Sequence, residues 1–365
     1  KKILMDVKNE IQGIGDEKIV RTDSGKYFLE KKDDNSCAFL EDSLCLIHKE
    51  VSPERKPRTC QIYPFSFYDS PEGVYVGLSF SCPAVIEGHG KPLKEYEGMD
   101  SVYQAYKNKK HIKKDKTDEH EDNLSWNQYK ALESRLMEIL GLEISMAKRL
   151  LAGHKLIDGM VKAKNVDDYL SSVDVDSLTE NLDFGSTYPQ KYRSILGSTL
   201  FSSNLREKNK ISAIINYFKF IRGEEPIKLS GLDEQPKPEE IEDIPTVDGE
   251  IVECYIKHII FRKSLITSHN RVKEKILDHY KLLILTYSGV NYYAKARAVQ
   301  AGRRKPSEDD LMKAVQKVES FSSAHNPLFN KLLEHNLLRP LLYYYLRMDD
   351  YAQTMLAENQ DSPGI

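Results

Sequence analysis

Residues 37–82 read CAFLEDSLCLIHKEVSPERKPRTCQIYPFSFYDSPEGVYVGLSFSC and contain four of the chain's five cysteines, Cys37, Cys45, Cys60 and Cys82. Free cysteines in globular proteins are usually scattered and buried. These four instead lie among charged and turn-forming residues, which is typical of a set of metal ligands. We therefore predict that this segment folds around a metal ion or an iron–sulfur cluster, with the four sulfur atoms converging on it.

The spacing of the cysteines does not fix the identity of the metal. Four thiolates suit both a tetrahedral zinc site and a [4Fe–4S] cluster. The intervals are longer than the CxxC pairs of common zinc fingers, so thiols without a metal remain an alternative. His48 follows Cys45 by three residues and is a further candidate ligand, through a ring nitrogen.

Three basic residues lie just before Cys60, namely Arg55, Lys56 and Arg58. Positive charges beside thiolates favour the ionised form of the sulfur and offset the negative charge of a cluster. A solvated basic turn explains the same composition equally well.

Composition excludes several classes of protein. The chain of 365 residues carries 53 Lys and Arg against 56 Asp and Glu, a net charge of -3, and a general nucleic-acid binder would instead show a basic face. No apolar run reaches the roughly 20 residues that cross a bilayer, and five cysteines are too few for a disulfide-rich secreted framework. We expect a cytoplasmic protein. Because the sequence starts at Lys1 rather than at Met, we also expect an upstream segment.

The predicted fold class is mainly α, with a small, loop-rich α+β metal-binding domain at the N-terminal end and a helical C-terminal bundle. We predict the metal-binding domain over residues 1–95, a mobile charged linker over 96–124, and the helical domain over 125–365. Residues 222–249 are acidic and rich in proline, which indicates a long surface excursion within the helical domain.

Local patterns support this division. Residues 74–80 follow a turn and predict a strand. Ser125 with Gln128 predicts a capping box at the start of a helix, and Ser307 with Asp310 predicts another cap. Cys254 falls in an apolar helical run, so we expect it to pack in the core. A Leu- and Tyr-rich run over 337–351 is expected to close the bundle.

Four short motifs in one order carry a resemblance to a known family. They are CAFL at 37–40, CLIH at 45–48, KPRTCQIYPF at 56–65 and CP at 82–83. Together they resemble the cysteine-cluster family of zinc- or iron-chelating proteins. Members of that family also carry a dense CxxCxxCC-like cluster upstream, and this chain contains no such cluster.

The longer members of that family resemble flagellin lysine N-methylase, and residues 253–326 are similar to them in layout. The resemblance implies a bacterial iron–sulfur enzyme that transfers a methyl group from S-adenosylmethionine to lysines of flagellin, with a [4Fe–4S] cluster on the four cysteines. No residue is assigned to catalysis or to S-adenosylmethionine. Tyr63 lies beside the cysteines and is a candidate participant, with simple packing as its alternative role.

Two other functions stay open. One is a non-catalytic zinc- or iron–sulfur-binding protein, in which the metal staples a loop-rich domain beside a helical surface that binds a partner. The other is a redox sensor whose thiols pair reversibly. Flagellin is the expected protein substrate, and we expect neither nucleic acid nor a membrane as a partner.

Overall fold

The structure is a computed structural model of the chain. It describes residues 19–21, 27–29, 32, 37–42, 44–109, 123–182, 184, 189–200, 210–229, 231–266, 271–322 and 344–357. The predictions for residues 337–343, for the end of the 253–326 segment and for 110–122 of the linker lie outside these ranges.

The described part of the chain is mainly helical, so the predicted main class is confirmed. In chain order the helices are α1 (Arg58–Ile62), α2 (Pro83–Ile86), α3 (Met99–Lys109), α4 (Trp126–Ile139), α5 (Met146–Lys162), α6 (Val166–Ser172), α7 (Val175–Thr179), α8 (Pro189–Leu200), α9 (Lys210–Ile221), α10 (Pro238–Glu242), α11 (Glu250–Phe261), α12 (Lys273–Gln300), α13 (Glu308–Ser322) and α14 (Tyr351–Ala357). Met99–Lys109 is thus helical inside the segment predicted as a linker. Among these residues, no helix is both long and apolar enough to cross a membrane.

The strands form two-stranded antiparallel sheets. They are β1 (Ile19–Arg21) with β2 (Tyr27–Leu29), β3 (Leu40–Glu41) with β4 (Leu44–Cys45), and β5 (Phe65–Ser70) with β6 (Gly73–Leu78). The predicted strand over 74–80 is therefore present as β6. Gly73 opens it at φ 141°, a backbone angle that side chains rarely allow, so a glycine suits this turn.

The chain forms two compact units. The first is drawn from residues 1–63 and 91–114, and the second from residues 64–90 and 115–365. The domain boundaries expected from the sequence, at residues 95 and 124, stay predictions. The β5–β6 hairpin and Cys82 belong to the second unit.

The first unit has a small core where the structure describes it. Phe39, Leu46 and Ile47 form a buried apolar cluster, and Cys37, Cys45 and Val51 pack against it. Two of the candidate ligands therefore line the only apolar cluster found in the described residues of this unit. Burial of apolar surface stabilises a fold by roughly 25 cal/mol per Å². A cluster of this size therefore contributes little to the free energy of unfolding.

The second unit is organised around α12. Its 28 residues are buried on nearly all sides between Ile276 and Ala298. A helix without a polar face has to be surrounded by other elements, and α5, α10, α11, α13 and α14 all pack against α12. The proline-rich segment 222–249 contributes to this core through Leu229, Leu232 and Ile241.

The two predicted helix caps are present. The Ser125 hydroxyl accepts a hydrogen bond from Gln128 N, and the Gln128 side chain accepts one from Ser125 N at 2.9 Å. The Ser307 hydroxyl likewise accepts from Asp310 N at 3.3 Å. Such caps satisfy backbone N–H groups that have no partner within the helix.

The prediction for Cys254 was wrong, because this residue is exposed. It lies on α11 opposite the buried face that Val252, Tyr255 and Ile256 form. The apolar run is real, but Cys254 falls one residue away from its helical stripe.

A buried ionic network joins three elements of the second unit. Glu319 on α13 is fully buried and accepts from Arg262 at 2.6 and 3.2 Å, from the Tyr255 hydroxyl at 2.7 Å and from the Ser79 hydroxyl at 3.4 Å. A buried charge is tolerated only when it is paired and hydrogen-bonded. The network therefore fixes where α11, α13 and the chain after β6 meet.

We expect Glu319→Gln to lower the free energy of unfolding of the second unit by about 3 kcal/mol, because it leaves the Arg262 guanidinium buried without a counter-charge. Urea denaturation followed by circular dichroism measures the change. Glu308→Gln, an exposed carboxylate on the same helix, is the control and should cost less than about 1 kcal/mol. Equal, small effects of both substitutions would contradict the prediction.

Candidate metal centre

Cys37 and Cys45 lie on either side of a tight hairpin. The Cys37 carbonyl accepts from Leu40 N at 2.9 Å, and Cys45 pairs with Leu40 across β3 and β4. Both thiols are half-buried. Phe39 and Leu46 turn into the small core, and Cys37 and Cys45 both pack against this cluster.

Cys60 lies on α1, one turn after Pro57. Pro57 O accepts a hydrogen bond from Cys60 N at 2.8 Å, and Ile62 at the C-terminal end of the helix is buried. The Gln61 side-chain amide fastens the preceding turn, because it donates to Glu54 O at 2.6 Å and to Lys56 O at 2.7 Å. The position of Cys60 relative to the basic turn is therefore fixed by side-chain and backbone bonds.

Cys37 and Cys45 both lie within electrostatic reach of Cys60. Although Cys60 is exposed by surface area, burial of its sulfur by neighbouring atoms is the largest cause that raises the pKa of its thiol. The charges of Cys37 and Cys45 raise this pKa further, whereas a hydrogen bond with Thr59 and the Lys56 ammonium lower it. Three thiolates in one neighbourhood repel one another unless a cation binds between them.

His48 is engaged by a lysine. The Lys56 ammonium donates to His48 Nδ1 at 2.7 Å. In this arrangement His48 Nδ1 is not available to a metal. The partner of His48 in the structure is thus Lys56 and not the metal ion that its spacing from Cys45 suggested. Tyr63 directly follows α1 and is 39% exposed, and its role beside the cysteines stays a prediction.

Cys82 belongs to the second unit and begins α2. Its N–H donates to Ser79 O at 3.1 Å, which closes a turn, and Pro83 follows at the first helical position. Phe80 inside this turn packs on the rings of Tyr255 and His258, with centroids 5.3 and 5.2 Å away. The turn that carries Cys82 is therefore anchored to α11.

His258 fixes the strand that leads to this turn. Its Nε2 lies 2.8 Å from Leu78 N and 3.0 Å from Leu78 O, so it bonds the backbone in either tautomer. Together with Glu319, His258 supports the Cys82 turn. Sequence reasoning missed both residues, since they lie 180 and 240 positions from their partners and no local pattern marks them.

The donor chemistry fits a soft metal, because thiolates prefer zinc or iron–sulfur clusters. Within the described ranges, however, no group of three or more His, Cys, Asp or Glu residues has the arrangement that holds a metal ion. The roles of Cys37, Cys45, Cys60 and Cys82 as ligands therefore stay predictions.

Comparison with known proteins adds no relative. No protein-family model matches the chain, and neither a curated protein nor a solved structure shows significant similarity to it. The resemblance to the cysteine-cluster family therefore stays with the motifs of the sequence.

We expect stability to depend on pH through His258. Burial, and secondly the Arg262 charge, lower the pKa of its imidazole from 6.5 to about 4. Between pH 6.5 and about 4 the unfolded chain takes up a proton at this site and the folded chain does not, so acidification across this window favours unfolding. The loss at His258 amounts to about 3 kcal/mol.

Urea denaturation at a series of pH values measures this dependence. His258→Gln should make the curve less steep between pH 6.5 and 4, although His154, whose pKa burial also lowers to about 4, keeps part of the slope. His89→Gln, at a largely exposed histidine of the same unit, should leave the curve unchanged. A His258→Gln curve as steep as that of the wild type would contradict a neutral, buried imidazole.

Proposed function

We propose that this chain is a thiolate metal-binding protein and that Cys37, Cys45 and Cys60 bind a [4Fe–4S] cluster or Zn²⁺. One observation carries the proposal: Cys37 and Cys45 pack against the same small buried cluster, and both raise the pKa of the Cys60 thiol. The proposal is that these three segments of the first unit supply the soft ligands. The sequence motif adds Cys82 as the predicted fourth ligand.

The first unit gives a physical reason for a bound metal. Its apolar cluster consists of three residues with three more at its edge, where the structure describes it. A metal that binds only the folded form adds its binding free energy to folding. Bound at the three thiols, the metal would tie the β3–β4 hairpin to α1.

We further propose, on the motif resemblance alone, that the protein is a lysine N-methylase that transfers methyl from S-adenosylmethionine to flagellin. The acceptor amine must lose its proton before it attacks the methyl group, so such an enzyme has to supply a base and exclude water. The proposed location is the cytoplasm, where thiols stay reduced.

A non-catalytic metal-binding protein is the second candidate, and the small core of the first unit favours it. In that case the metal stabilises the fold and takes part in no reaction. The two candidates share the metal centre and differ in whether the protein binds S-adenosylmethionine.

Anaerobic purification followed by metal analysis and visible absorbance tests the metal centre. We expect stoichiometric iron with a thiolate-to-iron absorption band, or stoichiometric zinc without colour. Cys37→Ser, Cys45→Ser and Cys60→Ser should each lower the bound metal severalfold, because a hydroxyl is a poor ligand for these metals. Cys254→Ser, at the exposed cysteine of α11, is the matched control and should keep the wild-type content.

A wild-type protein without iron or zinc would contradict the metal centre, as would a Cys60→Ser variant with full metal content. Calorimetric titration with S-adenosylmethionine then separates the two candidates. Binding, together with a methyl-group mass increase on flagellin lysines, supports the methylase; a metal-loaded protein that does neither is a structural metal protein.

A further inference from the structure

We propose that the second unit contains an ammonium-binding site, which consists of three aromatic rings and one carboxylate. These groups belong to Tyr75, Tyr129, Phe261 and Glu133, and the chain's own Lys263 side chain occupies the site in the structure. The ligand is an alkylammonium group, of a small amine or of a lysine in another polypeptide, that displaces the Lys263 ammonium. All five residues belong to the second unit, so the inference does not depend on the proposed metal centre.

The contacts of the Lys263 ammonium show what the site recognises. Both carboxylate oxygens of Glu133 accept hydrogen bonds from Lys263 Nζ at 2.6 Å. The same nitrogen lies 3.9 Å from the ring centroid of Tyr75, and 5.6 and 6.0 Å from those of Phe261 and Tyr129. Aromatic faces attract cations, and rings arranged in this way bind ammonium groups in proteins. The site thus combines one negative charge with three aromatic faces around a single nitrogen.

The groups that form the site lie on regular elements of the fold. Tyr75 lies on β6 and Phe261 ends α11, while Tyr129 and Glu133 lie on α4. Because Tyr129 and Glu133 are four residues apart, they share one face of that helix. Lys263 instead follows the end of α11 and reaches the site through a long side chain with several rotatable bonds. Its ammonium can therefore leave without a change in the backbone of the other four residues.

The backbone of Lys263 is strained. Lys263 N donates to Ile260 O at 2.9 Å and Ser264 N donates to Ile259 O at 3.2 Å, which is the hydrogen-bond pattern of a Schellman motif at the end of α11. Lys263 takes the position in this motif where glycine is usual, with φ at 62°. A side chain at such an angle costs free energy, and strain of this kind is concentrated at ligand-binding and switch segments.

Two further observations point to a ligand from outside the chain. The Tyr129 side chain is completely buried, and within the described residues its hydroxyl has no hydrogen-bond partner. An unpaired buried hydroxyl is destabilising, so Lys263 leaves one polar group of the site unsatisfied. Phe261 is 40% exposed and Tyr75 is half-buried, so the site reaches the surface beside these two rings.

Trp126 supplies a signal that is specific to this site. It is the only tryptophan of the chain. The centroid of its ring lies 6.0 Å from that of Tyr75 and 5.7 Å from that of Tyr129. Exchange of the cation beside these two rings alters the surroundings of the indole. Intrinsic tryptophan fluorescence of the full chain therefore measures occupancy of the site.

The test titrates n-butylammonium chloride into the wild type, into Lys263→Gly and into the double variant Lys263→Gly with Glu133→Gln. n-Butanol is the neutral probe of similar shape, and sodium chloride controls for ionic strength. Glycine removes the occupant and suits the positive φ of residue 263. Lys148→Met, at an exposed lysine of α5, is the matched control and should behave as the wild type. Circular dichroism checks that each variant is folded.

We expect Lys263→Gly to bind n-butylammonium at least roughly tenfold more tightly than n-butanol, because only the cation gains from the aromatic faces and the carboxylate. The double variant should lose most of this preference. The wild type should bind n-butylammonium measurably but more weakly than Lys263→Gly does. The reason is that only the fraction of molecules with Lys263 displaced can bind the ligand.

Equal affinity of Lys263→Gly for n-butylammonium and n-butanol would overturn the ammonium site. A wild type whose fluorescence responds neither to n-butylammonium nor to Nα-acetyl-lysinamide would overturn the displacement of Lys263, and Lys263 with Glu133 would then be a structural ion pair. If Lys263→Gly does not fold, the wild-type titration decides alone. Tighter binding of Nα-acetyl-lysinamide than of n-butylammonium supports a lysine of a polypeptide as the ligand, and weaker binding supports a small amine.

Discussion

The proposed metal centre of the first unit depends on the repulsion that three thiolates would feel if they were brought together without a cation. Cys37 precedes β3, Cys45 ends β4 and Cys60 lies on α1, and the first two raise the pKa of the Cys60 thiol. Bringing like charges together costs free energy. A metal cation bound between the sulfur atoms would offset this cost.

The second unit reaches its stability by different means. Its long central helix is buried nearly all round, and the Glu319–Arg262 ion pair lies in its interior. Breaking the Glu319–Arg262 pair would leave a buried charge, which is far more costly than the pair itself is stabilising. The main effect of the network is therefore to fix the relative positions of the elements it joins. The Ser79 hydroxyl, which donates to Glu319, includes the turn that carries Cys82 in this network.

Local patterns predicted the parts of the fold that depend on neighbours in sequence. The Ser125–Gln128 capping box and the strand after Gly73 both follow from spacing of a few residues. Cys254 was wrongly predicted to be buried, because the whole apolar run was assigned to the core. Only the residues on one face of that helix are buried, and Cys254 lies on another face. The residues that support the Cys82 turn could not be predicted. His258 and Glu319 are far in sequence from the residues they contact, and they come together only in the folded chain.

X-ray absorption at the iron or zinc edge of the anaerobically purified protein tests the central claim most directly, because it counts the sulfur atoms bound to the metal. At least three cysteine sulfurs at about 2.3 Å per zinc, or the equivalent protein sulfur shell of a cluster, are predicted. A metal shell of oxygen and nitrogen with no cysteine sulfur would contradict the convergence of Cys37, Cys45 and Cys60 on one centre.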